Sequence, residues 1–191
     1  MDIALPLQSS NLTDELLAGC VRQDRLYQKR LYELFYGKMI ALCLRYSNDY
    51  EEARDILHEG FMKVYKNIAQ YQPRHSLESW IRRIMINTAI DHYRRNRKFQ
   101  KDLDLEQAQH HVEPINNHIL GKLTADEIML LVQKLTPAYR TVFNLYVIEG
   151  FNHAEIAKKL SISEGTSKSN LAKARAKLQV MIREAYPGFF R

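Results

Sequence analysis

The chain has 191 residues, 46% hydrophobic and 26% charged, which leaves room for one large or two small domains and matches a folded, soluble protein rather than a disordered one. Gly and Pro together make up only 12 residues (7 and 5), too few for an all-β fold with many tight turns, so helices are expected. The net charge of +6 points to a polyanionic partner only where it is concentrated, and here it is.

Met1–Ser10 lacks a basic stretch followed by an apolar core, so no signal peptide is expected. No apolar run reaches the ~20 residues that cross a bilayer, and the expected location is the cytoplasm. Cys20 and Cys43 have no metal-ligand spacing and read as buried thiols. Residues 1–24 are read as an N-terminal segment outside the first domain.

Leu26–Tyr46 reads as a helix with Leu31, Leu34, Phe35, Met39 and Leu42 on one face. A second helix is expected from Tyr50 to Ala69, its apolar stripe being Ala53, Leu57, Phe61, Val64 and Ile68. It belongs to an acidic stretch: from Asp49 to Glu59 five acids accompany the single Arg54. Pro73 breaks the pattern within Tyr71–Ser76, because it lacks a donor and restricts Gln72. Ser76 then caps a third helix that ends near Lys98, burying Leu77, Trp80, Ile81, Ile84 and Ile90. Its other faces are basic, with seven Lys/Arg and one acid from Arg82 to Lys101. These helices are read as one domain, residues 25–98.

Periodicity fades over 99–125, which is read as a linker with a short acidic patch, Asp102 to Glu113. His110, His111 and His118 lie there without the compact spacing of a metal site, so neither a metal nor a cofactor is expected.

The second domain, residues 126–185, opens with a helix whose apolar face is Ile128, Leu131, Val132 and Leu135. Thr136-Pro137 starts the next, with Val142, Phe143, Tyr146 and Val147 inward and Gly150 as its stop. Asn152-His153-Ala154-Glu155 has the form of a capping box. The short helix it opens buries Ile156, Ala157 and Leu160, the small Ala157 permitting a tight crossing. Ser161-Ile162-Ser163 is a turn, with Ile162 plugging the core and Ser163 capping a long helix from Glu164 to Ile182. This is a helix-turn-helix from Gly150 to Leu178. A recognition helix presents its first two turns to base edges, and here those turns carry Thr166, Ser167, Lys168, Ser169, Asn170 and Lys173. Lys158, Lys159, Arg175 and Lys177 suit phosphates, which give affinity without sequence information.

Glu149-Gly-Phe-Asn-His-Ala-Glu-Ile-Ala-Lys-Lys-Leu160 and Glu164-Gly-Thr-Ser-Lys-Ser-Asn-Leu-Ala-Lys-Ala-Arg175 resemble the promoter-binding domain of extracytoplasmic-function (ECF) type RNA polymerase sigma factors. Independently, Asp55-Ile-Leu-His-Glu-Gly-Phe-Met-Lys-Val-Tyr65 is similar to that family's polymerase-binding helix, and Ser79–Arg95 to its −10 helix. The resemblance spans about residues 10–183. It implies an all-α protein of two small helical domains joined by a flexible linker, which binds core RNA polymerase and promoter DNA and is not an enzyme.

By the same resemblance, Asp55, Glu59, Phe61 and Lys63 would dock on the polymerase clamp. Tyr71, Arg74, Arg83, Asn87, Asp91, Arg94 and Arg95 would meet the −10 element, the Tyr71–Ser76 loop holding a flipped base. Thr166, Ser167, Lys168, Ser169, Asn170, Lys173 and Arg175 would meet the −35 element. An anti-sigma factor is a further implied partner. His58, Ser161 and Asn170 depart from the family pattern, and Asn170 leaves the −35 preference open. The competing reading is a helix-turn-helix regulator that binds DNA alone; it lacks a sensor or dimerisation module in residues 1–98. An enzyme acting on nucleic acid is disfavoured by the lack of a phosphate loop or nucleophile–base pair.

Overall fold

The computed structural model describes residues 10–99 and 124–187, and every regular element among them is helical. The chain divides into two compact units: Met1–Cys43 with Glu51–Thr88, and Leu44–Tyr50 with Ala89–Arg191. Most of the expected linker lies outside the described residues.

In the first unit a helix that periodicity did not predict, α1 (Ser10–Val21), precedes α2 (Arg25–Leu44). The turn between them puts Gln23 at a positive φ of 59°, and Asp24 Oδ1 accepts from the Leu26 amide at 2.8 Å to open α2. The acidic α3 (Tyr50–Asn67) continues into a 3-10 turn, Ile68–Gln70. After the proline break comes α4 (Leu77–Phe99), and Ser76 Oγ accepts from the Ser79 amide as expected of its cap. The core joins Leu31, Met39 and Leu42 to Ile56, Leu57, Phe61 and Val64, and these to Ile81 and Met85. Each such side chain contributes roughly 1.5–3 kcal/mol by leaving water.

Leu34 is the exception on α2, at 41% exposed. Each four-residue step turns a helical stripe by about 40°, so a stripe through Leu31, Phe35, Met39 and Cys43 leaves Leu34 on its trailing edge. On α4 the buried positions are Leu77, Ile81, Met85, Ile86 and the polar Thr88 in the first unit and Ala89 and Ile90 in the second, whereas Trp80 and Ile84 are only half-buried.

In the second unit α5 (Ala125–Gln133) begins with a complete capping box between Thr124 and Glu127. Those bonds to Thr124 hold the Glu127 carboxyl below its ordinary pKa. Pro137 occupies the first turn of α6 (Pro137–Phe143), which runs into a π-helical stretch, Asn144–Ile148, before Gly150 stops it at a φ of +76°. The wider π turn delays the inward face. Leu145 is therefore buried, while Tyr146 is half-buried and Val147 is 49% exposed, contrary to the simple helical period. Within this unit Arg140 donates to Asn48 Oδ1 at 2.8 Å and Asn144 Nδ2 to the Arg45 carbonyl at 2.6 Å. These polar side chains are buried, which the apolar pattern could not signal.

The unit is completed by α7 (His153–Leu160) and α8 (Glu164–Ala185). Ile156, Ala157 and Leu160 are buried with Leu171, Ala174, Leu178 and Ile182, as the sequence pattern requires. Ile162 is only half-buried, so the turn is closed by these helices more than by a plug.

Candidate nucleic-acid interface

The helix-turn-helix is set by local chemistry at both helix starts. Asn152 accepts from the Glu155 amide at 2.9 Å, and the Glu155 carboxylate accepts from the Asn152 amide at 2.8 Å. Ser163 Oγ accepts from the Thr166 amide at 3.0 Å and lies 2.9 Å from the Thr166 hydroxyl. Between the helices, Ser161 takes the left-handed conformation (φ 53°, ψ 51°) that reverses the chain where a glycine is usual. Each helix is thus anchored at its entry, which restricts the angle at which α8 leaves the turn.

On α8, Thr166, Lys168, Ser169 and Arg175 are exposed, and Asn170 and Lys173 are half-exposed. The exposed Glu164 lies 4.0 Å from Lys168 Nζ, a contact too solvated to hold the lysine in one place. Ser167 corrects the expectation. It is fully buried, its hydroxyl 2.9 Å from His153 Nδ1, because its position in the first turn faces α7. Sequence spacing placed it among surface residues; only the crossing of the two helices turns it inward.

Arg83, Asn87 and Asp91 lie four residues apart on α4, the first two exposed and Asp91 half-exposed. Arg95 is exposed. Arg94 donates to the Lys158 carbonyl at 3.0 Å, within the second unit, and its other guanidinium nitrogen lies 3.9 Å from Asp91. In the preceding loop, Tyr71 donates its hydroxyl to the His75 carbonyl at 2.7 Å and sets its ring edge-on to Trp80 at 5.7 Å. That tie draws the proline loop into a closed turn with Arg74 exposed on it.

On α3, Asp55 is exposed, and Glu59 pairs with Lys63 at 3.0 Å across one turn. Phe61 is again a correction. It is 2% exposed, with its ring 4.7 Å from that of Tyr32 and 6.0 Å from that of Tyr65, so it is core rather than docking surface. Its apolar stripe position already implied this. Met62, beside it, is 68% exposed, an apolar side chain that α3 leaves outside. No group of three or more His, Cys, Asp or Glu side chains among the described residues could hold a metal ion. Among the same residues no helix is long and apolar enough to cross a membrane.

Two family models match the chain: Sigma-70 region 2 over residues 31–99, and Sigma-70, region 4 over residues 125–178. Among curated relatives, the RNA polymerase sigma-H factor of Pseudomonas aeruginosa is 28% identical, the match covering 91% of this chain and 100% of the relative. The ECF RNA polymerase sigma factor SigW of Bacillus subtilis is 29% identical, covering 81% and 88% respectively. A solved structure of the sigma factor RpoE with the anti-sigma factor NepR from Bartonella quintana is 20% identical, with a TM-score of 0.47, covering 81% of this chain and 96% of its own.

Proposed function

We propose a division of labour for this chain, which belongs to the sigma-70 family and within it to the ECF-type RNA polymerase sigma factors. It directs promoter-specific initiation of transcription with core RNA polymerase. The first domain, residues 25–98, docks on polymerase and meets the −10 element, and the second, residues 126–185, meets the −35 element. The 99–125 segment links them. The protein acts by recognition rather than by catalysis, in the cytoplasm, and its partners are core polymerase, promoter DNA and an anti-sigma factor.

Duplex contact falls to Thr166, Lys168, Ser169, Asn170 and Lys173, with Arg175 on phosphate. Ser167 supports that surface from behind. On α4, Arg83, Asn87 and Asp91 meet −10 bases, with Arg95 on phosphate and Arg94 joining it once released from the Lys158 carbonyl. Tyr71 and Arg74 bound the loop that receives an unstacked base, whose extrusion costs a few kcal/mol and is offset by stacking and pocket contacts. Asp55, Glu59 and Lys63 form the docking face, to which Met62 adds an apolar contact. This explains an acidic helix in a basic protein.

The observation that carries the reading is the order of the two matched regions, an acidic docking helix first and a capped helix-turn-helix last. In vitro transcription with core polymerase across a promoter library tests it. Transcripts should start from promoters sharing two spaced elements, with weak DNA binding by the chain alone. Tight, specific duplex binding without polymerase would favour the stand-alone regulator instead.

A further inference from the structure

We propose that His153 is a positioning residue for the recognition helix, seating the first turn of α8 through the Ser167 hydroxyl. The inference rests on the sigma reading above. A buried hydroxyl needs a partner, and the Ser167 oxygen lies 2.9 Å from Nδ1 of His153, the first residue of α7. Ser167 stands fourth in α8, in the turn that also carries Thr166, Lys168 and Ser169.

The imidazole is itself held. It stacks on the Tyr146 ring at 4.6 Å with an interplanar angle of 26°, and the π-helical stretch Asn144–Ile148 fixes where that ring stands. Arg175, two turns further along α8, lies 5.8 Å from the centre of the same ring. Tyr146 thereby anchors α8 at two points, one directly through Arg175 and one through His153 and Ser167. The cap at Ser163 fixes the start of the helix but not its rotation about its own axis. A rotation of about 20° moves a side-chain tip at the helix surface, roughly 6 Å from the axis, by about 2 Å, enough to break a hydrogen bond to a base edge. The His153–Ser167 bond opposes that rotation at the turn that faces DNA.

The test is transcription by core polymerase with the full chain on two templates: a promoter with a −35 element, and a pre-melted −10 template that lacks one. His153→Asn keeps a polar atom at the δ position but loses the ring. His153→Phe keeps the ring on Tyr146 and leaves the serine hydroxyl buried without its partner. His153→Phe with Ser167→Ala removes both polar groups, which relieves that penalty.

On the −35 promoter, His153→Asn should stay within about twofold of wild type, His153→Phe should fall about tenfold, and the double variant, freed of the burial penalty but still without the bond, should stay well below wild type. All three should match wild type on the pre-melted template. The proposal is overturned if His153→Phe transcribes the −35 promoter normally, if His153→Asn falls as far, if the double variant recovers to the wild-type level, or if the loss appears equally on both templates. In each of those cases wild-type transcription leaves the sigma reading standing. A wild-type chain inactive on both templates removes the reading and the proposal together.

Discussion

Gly60 on α3 faces Met85 on α4 so closely that a Cβ at position 60 would stand 2.2 Å from the Met85 sulfur. The missing side chain lets the proposed docking helix lie against the proposed −10 helix. Packing there bears on both functions, although neither residue is at the surface.

Gly60→Leu should lower stability by about 1–3 kcal/mol, the usual penalty for forcing methylenes into a filled core. Gly60→Ala should be close to neutral: the Met85 thioether can move, and a helical alanine gains roughly 1 kcal/mol over glycine. Urea denaturation of the two variants checks this. An unchanged midpoint for the leucine variant would mean that the helices separate without cost.

Ser161 carries the left-handed turn of the helix-turn-helix without being glycine. Ser161→Gly should stabilise the protein by about 1 kcal/mol, the order of the strain an L-residue bears there. Ser161→Val should destabilise it by at least as much. Thermal melting decides, and a glycine variant that melts lower than wild type would refute the strain argument.

Burial pushes the Cys43 thiol up to about 12. The thiolate is the nucleophile, so iodoacetamide at pH 8 should label Cys43 at least about a hundredfold more slowly in the folded protein than in urea. Because the folded pKa is raised, the neutral thiol's contribution to stability is full below the ordinary thiol value near 9 and is lost as pH rises toward 12. Peptide mass spectrometry of labelled protein measures the rate. Labelling as fast as a free thiol would show that the core opens readily at α2.

Replacing Lys168 or Asn170 with Ala should change the −35 bases selected from a promoter library, since both stand on the outward face of α8. Replacing Arg95 should instead weaken binding to all sequences and reduce the salt slope by about one unit per lost phosphate contact. An unaltered base preference for the Lys168 and Asn170 variants would remove them from base readout.

Local chemistry was legible in the sequence because it is written within a few residues. The Asn152–Glu155 box, the Ser76 and Ser163 caps and the buried stripe of α3 depend on spacings of three or four and the Gly150 stop on one residue, and each stands where it was expected. The helix-turn-helix followed from them. What spacing could not supply was the direction in which a residue faces once two helices cross. Val147 was carried outward by a π turn with no sequence mark. Ser167 was turned inward against His153, fourteen positions away. A polar residue near a helix start reads as exposed until a neighbouring helix covers it, so the sequence alone determined that this chain presents a recognition helix. Tertiary packing decided which of its side chains face outward and which turn in against the neighbouring helix.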